Sequence, residues 1–154
     1  MSSSDSLLQL DTQLCFALYR ASRALVRAYG PLLEPLGLTY PQYLALLVLW
    51  QEDDIAVKDL GVRLALDSAT LTPLLKRLEQ QGLLTRHRDP SDERVVRIRL
   101  SMQGRALKTK AKRVPENIAC KAGFETSDTK EVARLVRLRE ALHALSADLE
   151  KHEA

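Results

Sequence analysis

The chain has 154 residues, 45% hydrophobic but only 5% aromatic, with six glycines, six prolines and a net charge of +3. That length supplies one hydrophobic core rather than two, and a Leu- and Ala-rich composition poor in aromatics favours helices over a sandwich or barrel. No run of eighteen apolar residues exists to span a membrane, and Met1-Ser-Ser-Ser-Asp5 lacks the basic and apolar stretches of a leader, so a cytoplasmic location is expected.

Leu7, Leu10, Leu14, Leu18, Ala21 and Leu25 recur at spacings of three and four, which predicts an amphipathic helix from Leu7 to Tyr29, stopped at Gly30-Pro31. After a link from Leu32 to Leu38, Thr39-Tyr-Pro-Gln42 reads as a capping box opening a second helix through Trp50. That helix is apolar nearly all round and is expected at the centre of the core. Val57 to Leu64 and Asp67 to Gln81, joined around Ala65-Leu66 and stopped by Gly82, read as a helix-turn-helix.

Leu83 to Arg88 and Val95 to Leu100 are the expected strands of a hairpin, with Asp89-Pro90-Ser91-Asp92 supplying the turn. In the second strand Val96, Ile98 and Leu100 alternate with Val95, Arg97 and Arg99, which predicts one apolar and one basic face. Ser101 caps a further helix carrying Arg105 to Arg113, with a kink expected at Pro115 and continuation toward Cys120 and Ala122. Gly123 to Asp128 breaks it. The last helix, from about Asp128 to the end, has Leu135, Leu138, Leu142, Leu145 and Leu149 on a three-four seam suited to a partner subunit.

Charge is distributed unevenly along these elements. Between Val57 and Arg113 fourteen Lys/Arg stand against six acids, a net of +8, whereas the remainder of the chain nets −5. A basic middle between acidic ends suits a polyanion-binding module on a separate scaffold. Cys15 and Cys120 lie far apart, and His87, His143 and His152 are dispersed, so neither a structural metal nor a cofactor is expected.

In the helix from Asp67, Leu71, Leu74, Leu75 and Leu78 form the inward stripe, leaving Ala69, Thr72, Pro73, Lys76 and Arg77 outward, with Ser68 and Thr70 in the first turn. Small and hydroxyl residues let a backbone approach a major groove, while cations meet phosphates or guanine edges. Arg86 and Arg88 on the hairpin extend the basic surface. Arg94 at its tip suits a minor groove, with Asp92 placed to hold the guanidinium.

The run DSATLTPLLKRLEQQGLLTRHRDPSDERVVRIRLSMQGR, residues 67 to 105, closely resembles the multiple-antibiotic-resistance regulator (MarR) family of winged-helix repressors, whose order of elements the whole chain follows. The resemblance implies a mainly α fold with a small β-hairpin wing. It also implies one domain over residues 1–154 that forms an obligate homodimer on near-palindromic double-stranded operator DNA. The winged helix-turn-helix would span about 55–100, and the dimerisation helices about 5–30 and 101–152.

Cys15 lies one helical turn from Tyr19 on the same face, so Tyr19 is expected to help stabilise its thiolate. Tyr29, fourteen residues on, stands roughly 21 Å along a straight helix, at about 1.5 Å per residue. Two such helices crossing antiparallel near Ser22 would bring Tyr29 of one subunit beside Cys15 of the other, with Tyr40 joining them. Phenolic donors stabilise a thiolate yet leave it nucleophilic, which suits attack on a peroxide O–O bond, and apolar surroundings suit organic hydroperoxides.

Cys15, Tyr29 and Tyr40 are similar to the reactive-cysteine and tyrosine positions of the organic hydroperoxide resistance branch of the family, and Cys120 to the resolving cysteine of its two-cysteine members. The resemblance implies a redox-sensing repressor released from DNA on oxidation, its Cys15 pairing afterwards with Cys120 or with a small thiol. Two other readings compete: a repressor regulated by a non-covalent aromatic or phenolic ligand, with Cys15 as packing, and a thiol peroxidase. The second lacks a Pro/Thr/Cys active-site run and leaves the basic segment unexplained, so no enzymatic activity is expected.

Overall fold

The computed structural model describes residues 8–151. Leu7 itself, Met1 to Asp5 and His152 lie outside the described residues, and over residues 8–13 the expected helix is replaced by a short 3₁₀ turn with extended backbone at Gln9 and Gln13. Two compact units divide the chain, one ending at Lys112 and the other beginning at Arg113.

The first unit opens with a 3₁₀ turn, Leu10–Thr12, and helix α1, Leu14–Leu33. The expected stop at Gly30-Pro31 does not occur. Pro31 forfeits one backbone hydrogen bond, but burial of Leu33, which is 1% exposed, carries the helix a turn further. A 3₁₀ turn, Glu34–Leu36, follows, and the true stop is Gly37 at φ 67°, a left-handed conformation that costs glycine little. The Gly37 and Leu38 amides donate to the carbonyls of Glu34 (2.9 Å) and Leu33 (3.2 Å), which closes the helix end.

Helix α2, Tyr40–Leu49, begins at the predicted capping box, where the Gln42 side chain accepts from the Thr39 amide at 2.9 Å. Tyr43, Ala45, Leu46, Val48 and Leu49 are buried, so this is the core helix its composition demands. The buried Gln42 amide is satisfied by Gln81 Oε1 at 3.4 Å, and Gln81 in turn donates to the Gly37 carbonyl at 3.0 Å.

Strand β1, Ile55–Ala56, was not anticipated, because two residues carry no alternation to read. Helix α3, Val57–Leu64, and helix α4, Ser68–Gln80, form the helix-turn-helix, with Ala65 left-handed at φ 51° in the connection. Strands β2, Leu84–Arg88, and β3, Val96–Leu100, pair antiparallel, Arg86 opposite Ile98. Ile55 pairs with Ile98 on the other edge, so the sheet order is β1-β3-β2 and the hairpin is anchored at its base. Leu60, Leu71, Leu75, Leu78, Leu84 and Ile98 complete the core around α2.

Helix α5, Met102–Ala111, is capped by Ser101, whose Oγ accepts from the Gly104 amide (2.9 Å) and donates to the Gly82 carbonyl (2.6 Å). A Cβ at position 104 would run into the Leu83 carbonyl, so glycine lets this helix lie against the start of the hairpin.

In the second unit the expected continuous helix with a kink at Pro115 is instead a break. Helix α6, Val114–Lys121, starts afresh with Pro115 in its first turn, where a proline forfeits no helical bond. Gly123 ends it at φ 82°, and the Phe124 amide donates to the Ala119 carbonyl at 2.9 Å. Helix α7, Thr129–Lys151, has no buried residue, and Val132, Leu138, Leu142 and Leu149 stand exposed along it.

Candidate DNA-reading surface and thiol site

On α4 the period-3.6 reading holds residue by residue. Leu71, Leu74, Leu75 and Leu78 are buried, while Ser68, Thr70, Thr72, Lys76 and Arg77 are exposed. Asp67 caps the helix by accepting from the Thr70 amide at 2.7 Å, and the Thr72 hydroxyl donates to the Ser68 carbonyl at 2.7 Å. Thr72 thus lies one residue before Pro73, which has no amide hydrogen to offer the helix.

Several cations of the basic segment are tied inside the fold. Arg86 makes a two-pronged pair with Glu79 of α4, at 2.8 and 2.5 Å, and its amide donates to the same carboxylate at 3.2 Å. This clamp joins the reading helix to β2. Arg88 donates to the Glu93 carbonyl at 3.0 Å, bracing the tip.

Arg97 and Arg99, the expected basic face of β3, converge on Asp54: Arg97 Nε at 3.1 Å and Arg99 at 2.6 Å reach its carboxylate, and Arg97 also donates to its carbonyl. His87 Nε2 lies 3.2 Å from the same carboxylate. Asp53 beside it accepts from the Leu100 amide (2.8 Å) and from both Nη2 (2.6 Å) and Nε (3.2 Å) of Arg105.

This acidic pair is the functional feature that sequence reading missed. Its only signal was two adjacent carboxylates just ahead of a basic segment. Hydrogen bonding from Arg99, then from Arg97, holds the Asp54 carboxyl below its ordinary 3.8. For Asp53 burial pushes the other way, but Arg105 and the amides of Leu100 and Asp54 outweigh it.

Arg94 is the outlier. Its side chain is 90% exposed, held by Asp92 through Nε (3.0 Å) and Nη2 (3.1 Å), while the Arg94 amide donates to the same aspartate at 3.1 Å. A bidentate pair fixes the direction of a guanidinium without burying it. The turn behind it is ordered by the Ser91 amide donating to Asp89 Oδ1 at 2.8 Å and by the Val95 amide donating to the Asp92 carbonyl at 2.9 Å.

Cys15 is an exposed free thiol on α1 in the first unit, and Cys120 an exposed free thiol on α6 in the second. Tyr29 and Tyr40 come together, ring centroids 4.8 Å apart, with Tyr43 packed 5.7 Å from Tyr29 and Trp50 beyond it at 6.3 Å. Burial raises the Tyr29 and Tyr40 hydroxyls above the ordinary phenol value, and burial next to both pushes Tyr43 up to about 12. All three therefore keep their protons at neutral pH and remain donors.

Tyr19 stands apart from this cluster. It is stacked near Phe16 at 6.4 Å, and its hydroxyl accepts from Arg23 at 3.2 Å. Cys15 stands at the start of α1 and Tyr29, with Tyr40 of α2 packed on it, fourteen residues further along, so one chain alone does not assemble them.

A helix-turn-helix followed by an anchored basic hairpin defines a winged-helix DNA-binding protein. Residues 38–96 match the model of the MarR family. The chain is 49% identical over 137 residues to the organic hydroperoxide resistance transcriptional regulator of Bacillus subtilis (strain 168), spanning 88% of this chain and 93% of that protein. It is also 49% identical over 142 residues to the HTH-type transcriptional regulator TtmR of Methylorubrum extorquens (strain PA1), spanning 92% of this chain and 73% of TtmR. Among solved structures, reduced AbfR bound to DNA superposes with a TM-score of 0.75 at 34% identity, covering 95% of this chain and 99% of that one. Disulfide-formed AbfR superposes with a TM-score of 0.64 at 36% identity, covering 96% and 97%. The protein belongs to the MarR family of transcriptional regulators.

Proposed function

We propose that this protein is a homodimeric, cytoplasmic repressor, a single regulator over residues 1–154, that holds a near-palindromic operator and lets go when an organic hydroperoxide oxidises Cys15. The observation that carries the reading is the Tyr29–Tyr40 ring pair at the end of α1 opposite the exposed Cys15. An antiparallel crossing of two α1 helices near Ser22 makes each pair the phenolic surround of the partner's thiol. The similarity to the Bacillus subtilis hydroperoxide resistance regulator supports the same conclusion.

Ser68, Thr70, Thr72, Lys76 and Arg77 would enter the major groove, with Asp92-held Arg94 in the minor groove and Arg86 and Arg88 along the phosphates. Oxidation is stoichiometric rather than catalytic. The Cys15 thiolate takes the terminal peroxide oxygen, the O–O bond breaks, an alcohol leaves after protonation, and the sulfenic acid condenses with Cys120 or a small thiol, releasing water.

Cys15→Ser tests the reading. The variant is expected to bind operator DNA normally and to stay bound when cumene hydroperoxide releases the wild type. Release of the variant by an aromatic acid instead would favour a non-covalent ligand. Sustained peroxide consumption beyond one equivalent per subunit would point to a peroxidase. Mass spectrometry of oxidised protein with and without reductant separates a Cys15–Cys120 bond, which doubles the mass if intersubunit, from a small-thiol adduct.

A further inference from the structure

Asp92 sets the direction of Arg94 within the wing turn, but a turn at the end of a two-stranded ribbon points only where the ribbon does. A chain of polar contacts ties this turn back to the sheet. Asp89 is the first residue after β2, and its side chain is 19% exposed, against 41% for Asp92. Its two carboxylate oxygens face different ways. Oδ1 accepts from the Ser91 amide at 2.8 Å, inside the turn, while Oδ2 accepts from Arg97 Nη1 of β3 at 3.2 Å.

The other edge of the Arg97 guanidinium meets Asp54, with Nε 3.1 Å from the carboxylate and Nη2 on the carbonyl. Asp54 immediately precedes β1, whose Ile55 pairs with the buried Ile98. Core strand, Asp54, Arg97, Asp89 and the turn are thus joined in sequence. A planar guanidinium with donors along two edges can bridge two acids in this way, whereas an ammonium is a point charge. Hydrogen bonding from Ser91 holds the Asp89 carboxyl below its ordinary 3.8, so its link to Arg97 is between full charges at neutral pH. Pairs this exposed add little to stability, because water and salt screen them. What they supply is direction.

We propose that Asp89 and Arg97 are positioning residues for DNA reading: they aim the wing turn so that Arg94 meets the minor groove, without touching DNA themselves. The inference rests on the reading of Arg94 as a groove contact and adds the residues that orient it.

The test measures operator affinity at fixed salt for Asp89→Asn, Arg97→Lys and Arg94→Ala, with the melting temperature of each. Asp89→Asn removes a negative charge near DNA and Arg97→Lys changes no charge, so charge alone predicts tighter binding for the first and unchanged binding for the second. Positioning predicts instead that each weakens binding about fivefold, and that the two together weaken it no further. In an Arg94→Ala background neither should have an effect, since no side chain is left to aim. Exchanging A·T for G·C pairs at the operator flanks should weaken binding by wild type more than by the variants, because a narrow A·T groove attracts arginine. A fold damaged at large would lose affinity for both operators alike. Wild-type or tighter binding by Asp89→Asn, or an equal loss in the Arg94→Ala background, overturns the positioning role while leaving the Arg94 contact standing. If Asp89→Asn melts far below wild type, Arg97→Lys decides by the same comparison. Arg94→Ala binding like wild type overturns the groove contact and the positioning role with it.

Discussion

Arg94 stands in solvent with its direction set by Asp92, which is how a side chain is held ready for a partner outside the protein. Arg94→Ala is expected to weaken operator affinity about tenfold, roughly 1.4 kcal/mol, with an unchanged melting temperature. The slope of log affinity against log salt should fall by about 0.9 per lost phosphate-type contact. Unchanged affinity at fixed salt would remove the wing tip from the interface.

Asp54 plays the opposite part, inside the fold. Its φ of 64° is left-handed, which asparagine tolerates, so Asp54→Asn removes the charge without forcing the backbone. Because the folded carboxyl sits below 3.8, its contribution to stability is present above that value and is lost as pH falls through the lowered folded value. The stability gap between wild type and Asp54→Asn should therefore be full at pH 6 and close as the solution is acidified below 3.8. A gap that persists in strong acid would mean that the variant had disturbed something other than the ion pairs.

Element by element, α2 is the part that can couple thiol to DNA. It starts at Tyr40 in the tyrosine cluster and ends at Leu49, followed at its C-cap by Trp50, whose indole donates to the Gly104 carbonyl at 2.9 Å and whose own carbonyl accepts from Lys108 at 2.9 Å. Three and four residues on, Asp53 and Asp54 grip β3 and α5. A displacement of the Tyr40 end would thus reach the wing base through one buried helix rather than through a flexible loop. Trp50→Phe keeps most of the packing but loses the bond to Gly104. It should weaken the coupling, so that an oxidised sample retains more operator binding than oxidised wild type, while the reduced protein binds as before. The α4 stripe is a stability element first: Leu75, 1% exposed, should cost about 2–5 kcal/mol as Leu75→Ala by chemical denaturation.

At the scale of the whole molecule, the chain leaves much apolar surface uncovered. Helix α7 has no buried residue, with Leu138, Leu142 and Leu149 exposed along it, and in the first unit Leu14, Leu25 and Val26 of α1 are exposed as well. A second copy is the expected cover, because the thiol site also needs one. Leu142→Lys should shift sedimentation toward monomer and, with it, lower operator affinity by more than any single contact mutation. The charge count also changes meaning. The acids Glu52, Asp53 and Asp54 fold back on Arg63, Arg105, Arg97 and Arg99, whereas Lys76 and Arg77 of the reading helix and Arg94 at the wing tip stay exposed.

Periodicity and capping chemistry were legible in the sequence because they are local. The Leu71–Leu78 stripe, the Thr39–Gln42 box, the hairpin and its Asp-rich turn need only neighbours three or four residues away, and they stand where the pattern put them. Where α1 ends was not legible, since Gly30-Pro31 is a local stop overruled by the burial of Leu33. Nor were the two-residue strand β1, the Asp53–Asp54 clamp on arginines more than forty residues away, or the meeting of Tyr29 with Tyr40 and Tyr43. Such contacts depend on how the chain returns on itself, which only tertiary packing decides. The sequence by itself determined the reading head and the reactive residue types. The tertiary structure decided which arginines are tied to acids within the fold and that Tyr29 packs against Tyr40 and Tyr43 of the next helix.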